Sequence, residues 1–139
     1  MVRKTREGFP WHYRIVRGAD YRSVYSAGHK HHSGSFVLFG KENHLGHHRL
    51  GITVSRKVGS AVIRNRTKRL FREIFRKSVA AIPDSLDFVV NAKRECAEAA
   101  YRDLREEFLS AAARLVRQFK ADKSNKSKEL QSSPASGED

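Results

Sequence analysis

The segment 61–77 carries the pattern that most constrains how this chain can fold. At helical spacing it has an apolar arc on one side and a cationic arc on the other. With Ser78 added, the apolar arc comprises Ile63, Thr67, Leu70, Phe71, Ile74, Phe75 and Ser78, and the cationic arc comprises Lys68, Arg69, Arg72 and Arg76. We therefore predict an amphipathic helix whose apolar side is covered by other elements of the fold.

Positive charge is concentrated around this helix. The 139 residues include 28 Lys and Arg against 15 Asp and Glu, a formal net charge of +13. Residues 49–77 contain ten of these cations and a single acid, Glu73. Such a local excess indicates a docking face for a polyanion. Charge alone leaves nucleic acid, an anionic membrane surface and an acidic protein open, and a solvated basic face on an ordinary surface helix is the alternative.

Several classes of protein are disfavoured by the sequence. Cys96 is the single cysteine, so neither an intramolecular disulfide nor a cysteine-based zinc site is expected. The N-terminal residues lack the apolar stretch of a secretory signal, and no run of 18 apolar residues could span a membrane. We therefore expect a soluble cytoplasmic protein.

The remaining elements follow from hydrophobic periodicity and turn residues. We predict a short helix that is capped by Asp20, runs through Ser26 and is ended by Gly28. Two strands follow, over 35–39 and 49–55, joined by a loop over 40–48. After the amphipathic helix come a strand over 86–92 and a helix over 97–119, and a further short strand is predicted near 13–16. This order predicts an α+β fold, an α/β two-layer sandwich. Residues 1–12 are predicted to be a flexible basic N-terminus, 13–120 a single folded domain, and 121–139 a disordered tail.

The sequence SRKVGSAVIRNRTKRLFREIFR, residues 55–76, closely resembles the signature of the bacterial ribonuclease P protein family. The resemblance extends upstream through ADYRSVYSAG (19–28), FVLF (36–39) and RLGITVS (49–55). It continues downstream through LDFVVNAK (86–93) and the closing helix. It thus covers the whole predicted domain, in order and at the spacing of the family.

This resemblance implies a subunit of a ribonucleoprotein endoribonuclease that removes the 5′ leader of precursor tRNA. The RNA subunit would perform the hydrolysis with bound Mg²⁺, so no catalytic side chain, metal site or cofactor is expected on the protein itself. The implied partners are the ribonuclease P RNA subunit and precursor tRNA, with no membrane and no small-molecule substrate. The family also implies an α-β-β-β-α-β-α-like order and a small mixed sheet with a left-handed β-α-β crossover, where general handedness rules would predict a right-handed one.

The resemblance assigns two sets of residues to RNA. The residues expected to face the RNA subunit are Arg64, Asn65, Arg66, Lys68, Arg69 and Arg72. Those expected to bind the leader are Tyr21, Tyr25, Phe39, Thr53, Ser55, Arg56, Lys57, Asn91, Lys93 and Arg94. Strand alternation supports the second set, because Phe39, Thr53 and Asn91 fall on the sheet face opposite the core. Such a mixed face would suit single-stranded RNA whose bases are unstacked. For Tyr21 and Tyr25 the pattern alone allows a second interpretation, in which both belong to the core between helix and sheet.

The histidines and acids do not form a recognisable site. His29, His31, His32, His44, His47 and His48 are predicted to lie in two loops, and among them only Glu42 could add a metal ligand. The acids are scattered, which argues against two-metal nuclease chemistry on the protein. A binding module such as a ribosomal or RNA-chaperone protein remains the alternative of another class, and it would not promote cleavage when mixed with ribonuclease P RNA and precursor tRNA.

Overall fold

The fold combines one four-stranded sheet with three helices. The computed structural model describes residues 9–27, 29–83 and 85–137, so Gly28 and residues 1–8 of the predicted N-terminal segment lie outside the described residues. The elements are α1 (Gly18–Ser26), β1 (His29–His32), β2 (Phe36–Glu42), β3 (Arg49–Thr53), α2 (Ala61–Ser78), β4 (Leu86–Ala92) and α3 (Tyr101–Gly137). Single 3₁₀ turns occupy Trp11–Tyr13, Val79–Ala81 and Arg94–Ala97. The α+β class and the order α-β-β-β-α-β-α are therefore confirmed.

The sheet is mixed and has the order β1-β2-β4-β3. Strand β2 is antiparallel to both β1 and β4, whereas β3 and β4 are parallel and are joined through α2. Parallel neighbours need such a crossover, because a tight turn cannot return the chain to the same end. The handedness of the crossover stays a prediction.

The main core lies between one face of the sheet and helices α2 and α3. Its largest fully buried side chains include Phe36, Leu38 and Phe88 from the sheet, Phe71, Ile74 and Phe75 from α2, and Leu104, Phe108 and Leu115 from α3. Helix α2 follows the predicted pattern, and its N-cap Ser60 accepts a hydrogen bond from the amide of Ile63 at 3.4 Å. Helix α1 packs on the opposite sheet face, where Val24 and Val89 are buried with Ile15.

A largely buried ion pair holds the parallel strands together. Arg49 on β3 and Asp87 on β4 are register partners, and the guanidinium donates to both carboxylate oxygens at 2.8 and 2.7 Å. Asp87 also accepts a hydrogen bond from the Asn43 side chain at 2.7 Å. Hydrogen bonding to Asp87 is the main reason that the pKa of Arg49 is raised. The Arg49–Asp87 pair thus fixes β3 against β4.

Three local predictions are wrong. The histidine segment 29–32 is not a loop but strand β1, since an edge strand can pair with β2 through its backbone and leave polar side chains in water. The predicted strand near 13–16 reduces to a single bridge between Arg14 and Leu50. Asp20 is not the cap of α1: Arg17 holds that position, and the Asp20 carboxylate lies 3.5 Å from Arg49 instead.

Element ends also differ from the predicted bounds. Strand β2 continues past residue 39 to Glu42, and β3 ends at Thr53 rather than at residue 55. Helix α3 begins at Tyr101 rather than at residue 97, where a 3₁₀ turn ends.

Described residues outside the predicted domain bounds also make contacts, and the division into a domain and two tails stays a prediction. Phe9 belongs to the segment predicted to be flexible, yet its ring packs edge-on against Phe75 at a centroid distance of 5.6 Å. Helix α3 continues to Gly137, into the segment predicted to be disordered. Asp122 pairs with His29 at 2.7 Å, and Lys123 pairs with Glu42 at the same distance, so this helix contacts the sheet beyond residue 120.

Candidate nucleic-acid interface

The six predicted RNA-subunit residues lie on two sides of α2. Asn65, Arg66 and Arg69 are exposed on the side away from the sheet. Arg64, Lys68 and Arg72 are half-buried and follow one another at intervals of four residues. At a rise of about 1.5 Å per residue, the members of this row are about 6 Å apart along the helix axis. The helix therefore offers an outward cationic side and a separate row along its flank.

Most of these cations have no acidic partner among the described residues. The Arg64 Nε donates to the carbonyl of Gly59 at 3.3 Å, and Arg66 reaches the carbonyl of Ala97 at 3.4 Å, so both contacts are long hydrogen bonds to backbone. By contrast, Arg76 and Lys77 are paired with Glu73 at 2.8 and 3.1 Å. Most of the positive charge that is not neutralised within α2 thus resides in the predicted set, since Arg76 and Lys77 share the single carboxylate of Glu73.

The predicted leader face is centred on Tyr25. Its ring meets Phe39 edge-on at a centroid distance of 4.8 Å. Its hydroxyl donates to Asn91 Oδ1 at 2.9 Å and lies 3.3 Å from Thr53 Oγ1. These four predicted residues, contributed by α1, β2, β3 and β4, form one contiguous patch, in which Phe39 and Tyr25 are half-buried and Thr53 is exposed.

Tyr21 lies one turn earlier on α1 and is packed over β3. A Cβ atom on Gly51 would lie 2.7–2.8 Å from the Tyr21 ring, so the ring needs glycine at that position. Burial raises the pKa of Tyr21, an effect partly offset by a hydrogen bond from the backbone of Ile52. Tyr21 and Tyr25 both pack against the small α1–sheet core around Val89, while part of each ring remains accessible.

The basic residues predicted around this face lie at one end of the sheet. Arg56 and Lys57 follow β3, while Lys93 and Arg94 follow β4, and parallel strands bring their carboxyl ends to the same edge. Ser55, Arg56, Lys57 and Arg94 are exposed. Lys93 is held more firmly, because its Nζ donates to the carbonyl of Ser33 at 2.6 Å.

Four further residues of potential use were not predicted. Lys30 and His32 on β1 pair with Phe39 and Val37, so they extend the predicted leader face to the edge strand. Trp11 and Arg14 lie beside β3, next to the flank row of α2. For Trp11 and Arg14, the sequence offers one signal, a lone tryptophan in a polar segment. The pairing of β1 and the position of Arg14 depend on contacts between residues distant in sequence, so periodicity could not reveal them.

The described residues offer no ready-made catalytic centre. No three His, Cys, Asp or Glu side chains in the described ranges come close enough together to share a metal ion. Cys96 is buried, its thiol donates to the carbonyl of Ser35 at 3.0 Å, and burial raises its pKa to about 12. A thiol in this state is a poor nucleophile. Within the described part of the chain, no helix is long and apolar enough to cross a membrane.

Comparison with known proteins identifies the family of the chain. The family model described as Ribonuclease P matches residues 9–116. The ribonuclease P protein component of Alkaliphilus metalliredigens is 34% identical over 107 residues, which is 77% of this chain and 93% of that protein. The component from Streptococcus pneumoniae is 31% identical over 97 residues, covering 70% of this chain and 79% of that protein.

Solved structures with a similar fold belong to the same family. The fold is similar to that of the RNase P protein of Staphylococcus aureus, with a TM-score of 0.64 and 32% identity over 71% of this chain and 91% of that one. It is equally similar to the RNase P protein of Thermotoga maritima, with a TM-score of 0.64 and 32% identity over 70% of this chain and 92% of that one.

Proposed function

Because the chain belongs to the bacterial ribonuclease P protein family, we propose that it docks onto the catalytic RNA subunit through α2 and guides the 5′ leader of precursor tRNA along its sheet. Membership makes it the protein component of an endoribonuclease that processes tRNA. The observation that carries the proposal is the division of its surface into an uncompensated cationic helix and a separate aromatic–polar sheet face.

Helix α2 is suited to a structured RNA. Its exposed side presents Arg66, Arg69 and Asn65, and its apolar side anchors it in the main core. Arginine forks bind phosphate oxygens in pairs, and successive helical turns are about 5.4 Å apart, comparable to phosphate spacing along RNA. A rigid helix fixed in this way can contact a folded RNA without rearranging.

The sheet face is suited to a single strand. Phe39 offers an aromatic surface, and the Asn91, Thr53 and Tyr25 side chains offer hydrogen-bonding groups beside it. Stacking on such rings is worth about 1–3 kcal/mol per base and tolerates any sequence. Arg56, Lys57, Lys93 and Arg94 at the end of β3 and β4 would then hold the phosphates of the same strand.

The hydrolysis is assigned to the RNA subunit. Mg²⁺, when bound in the holoenzyme, would activate the attacking water. Three carboxylates beside the two proposed RNA-facing surfaces do not fit a Mg²⁺ site, because Asp20 and Asp87 are engaged by Arg49 and Glu73 is engaged by Arg76 and Lys77. The role proposed for the protein is therefore to position RNA rather than to carry a metal or a catalytic group.

Reconstitution tests the proposal directly. The full chain is mixed with a bacterial ribonuclease P RNA and precursor tRNA at low Mg²⁺, and release of the 5′ leader is followed on a gel. We expect cleavage with both subunits and none with protein alone. Failure to stimulate the RNA would favour a general RNA-binding module, and leader removal by repurified, RNA-free protein would refute the assignment of the chemistry to RNA.

A further inference from the structure

A groove runs along the outer edge of β3, between the two proposed RNA surfaces. It is lined by Trp11, Arg14, Ile15, Val16, Tyr21, Leu50, Gly51, Ile52, Lys68 and Arg72 and has a volume of about 330 Å³. We call it the β3-edge groove. Sites for small ligands occupy about 300–1,000 Å³, so the β3-edge groove can take one nucleotide but no double helix.

We propose that the β3-edge groove binds one nucleotide of single-stranded RNA, its phosphate held by Arg14, Lys68 and Arg72 and its base stacked on Trp11. The inference rests on the proposed function and adds a binding site to it. Tyr21 belongs to the predicted leader set, and Lys68 and Arg72 belong to the predicted RNA-subunit set. The groove therefore connects two surfaces that were predicted separately. Trp11 and Arg14 belong to neither set.

The charges in the groove point to an anion. Three of its ten lining residues are cations and none of the ten, all within the described ranges, is acidic. Among the described residues, the Arg14 guanidinium has one hydrogen-bond acceptor, the Phe9 carbonyl at 3.3 Å, and its buried Nε has no partner. Burial and the neighbouring charge of Arg14 lower the pKa of Arg72. Like charges brought together without a counter-charge are costly, and a phosphate would remove that cost.

The aromatic residue in the groove points to a base. Trp11 is 72% exposed, which is unusual for the largest apolar side chain, and Val16 beside it is 54% exposed. The segment is nonetheless fixed, because the Ile15 amide donates to the Leu50 carbonyl at 3.0 Å and Arg14 bridges to the same strand. An exposed ring on an anchored backbone is a stacking platform of the kind that single-stranded RNA uses.

Trp11 is the single tryptophan of the chain, so its fluorescence reports on this groove alone. The full chain is titrated with ribonuclease P RNA, precursor tRNA, mature tRNA and inorganic phosphate, and binding is measured in parallel by filter retention. We expect RNA to quench Trp11 emission and phosphate alone to leave it nearly unchanged. Quenching by the RNA subunit without substrate identifies that subunit as the source of the nucleotide, whereas quenching by precursor but not mature tRNA identifies the leader.

Variants separate the two contacts. Trp11→Ala should weaken binding of the quenching RNA by about fivefold or more, and Trp11→Phe should restore most of the loss by keeping a ring. Arg14→Gln should lower the log–log salt slope by about 0.7–0.9. Arg117→Gln, a matched loss of one exposed cation on α3, should do neither. Circular dichroism verifies that each variant is folded.

The outcomes distinguish this site from the proposed function as a whole. The nucleotide site in the groove is refuted if RNA binds tightly without changing Trp11 emission and if Trp11→Ala and Arg14→Gln bind with the affinity of the unaltered chain. That result would not contradict the two larger proposed surfaces. Absence of RNA binding by the unaltered chain overturns both.

Discussion

Removing two exposed cations from α2 tests the RNA-subunit surface most directly. Arg66 and Arg69 are exposed, and within the described residues Arg66 makes one long hydrogen bond while Arg69 makes none. Alanine is the best helix former, so the double variant Arg66→Ala, Arg69→Ala should keep α2 folded. Its effect on binding therefore reports on phosphate contacts rather than on the stability of the domain.

The expected size follows from counterion release. Each phosphate contact contributes about 0.7–0.9 to the slope of log affinity against log salt, so two lost contacts reduce its magnitude by about 1.4–1.8. At about 0.15 M salt this corresponds to roughly 15- to 30-fold weaker binding. Between about 50 and 200 mM salt the affinity of the unaltered chain should fall by an additional factor of about 7–12 relative to the variant.

Filter binding to the RNA subunit at several salt concentrations measures both quantities. The control is Arg105→Ala with Arg117→Ala, which removes the same charge from exposed positions on α3. We expect the control to keep the slope of the unaltered protein. An unchanged slope in the α2 variant, or an equal reduction in both variants, would refute the reasoning, the latter because it would show a diffuse effect of net charge.

Three further predictions concern the sheet and the core. Phe39→Leu keeps the apolar packing against Tyr25 but removes the aromatic ring. Binding of precursor tRNA should therefore weaken by about 1–3 kcal/mol, and binding of mature tRNA should not change. An equal loss for both RNAs would place Phe39 outside the path of the leader. Asp87→Asn removes the carboxylate that Arg49 binds at 2.8 and 2.7 Å and leaves the guanidinium only Asp20, at 3.5 Å, so it should cost about 3 kcal/mol in urea unfolding; a loss below 1 kcal/mol would contradict the structural role of the pair. Cys96, with its pKa raised to about 12, should resist a thiol reagent at about pH 8 until the protein is denatured, and rapid native labelling would contradict its burial.

Helix α2 was predictable because its signals are local. The apolar residues recur at helical spacing, and the cationic residues fill the other side. Strands β3 and β4 were located for a related reason, because their apolar residues stand out between turn residues. Alternation also placed Phe39, Thr53 and Asn91 on one sheet face, whereas the position of Tyr25 beside them came from the resemblance to the family.

Strand β1 could not be predicted in this way. Its sequence, His-Lys-His-His, has no apolar alternation, and it is a strand because β2 supplies hydrogen-bonding partners along it. The same limit applies to the β3-edge groove. Arg14 reaches the flank of α2 only because its segment bridges to Leu50, a contact that periodicity does not encode.

The order of the strands explains why the three proposed RNA surfaces adjoin one another. Strand β3 lies at the edge of the sheet, α2 follows it on one face, and α1 covers part of the other face. An RNA strand that passes from the Tyr25 patch to the flank of α2 must therefore cross the edge of β3, where Trp11 and Arg14 lie. The Arg49–Asp87 pair holds that edge against β4, the strand that carries Asn91. Loosening this pair should consequently disturb both surfaces together, whereas loss of a cation on α2 should disturb one.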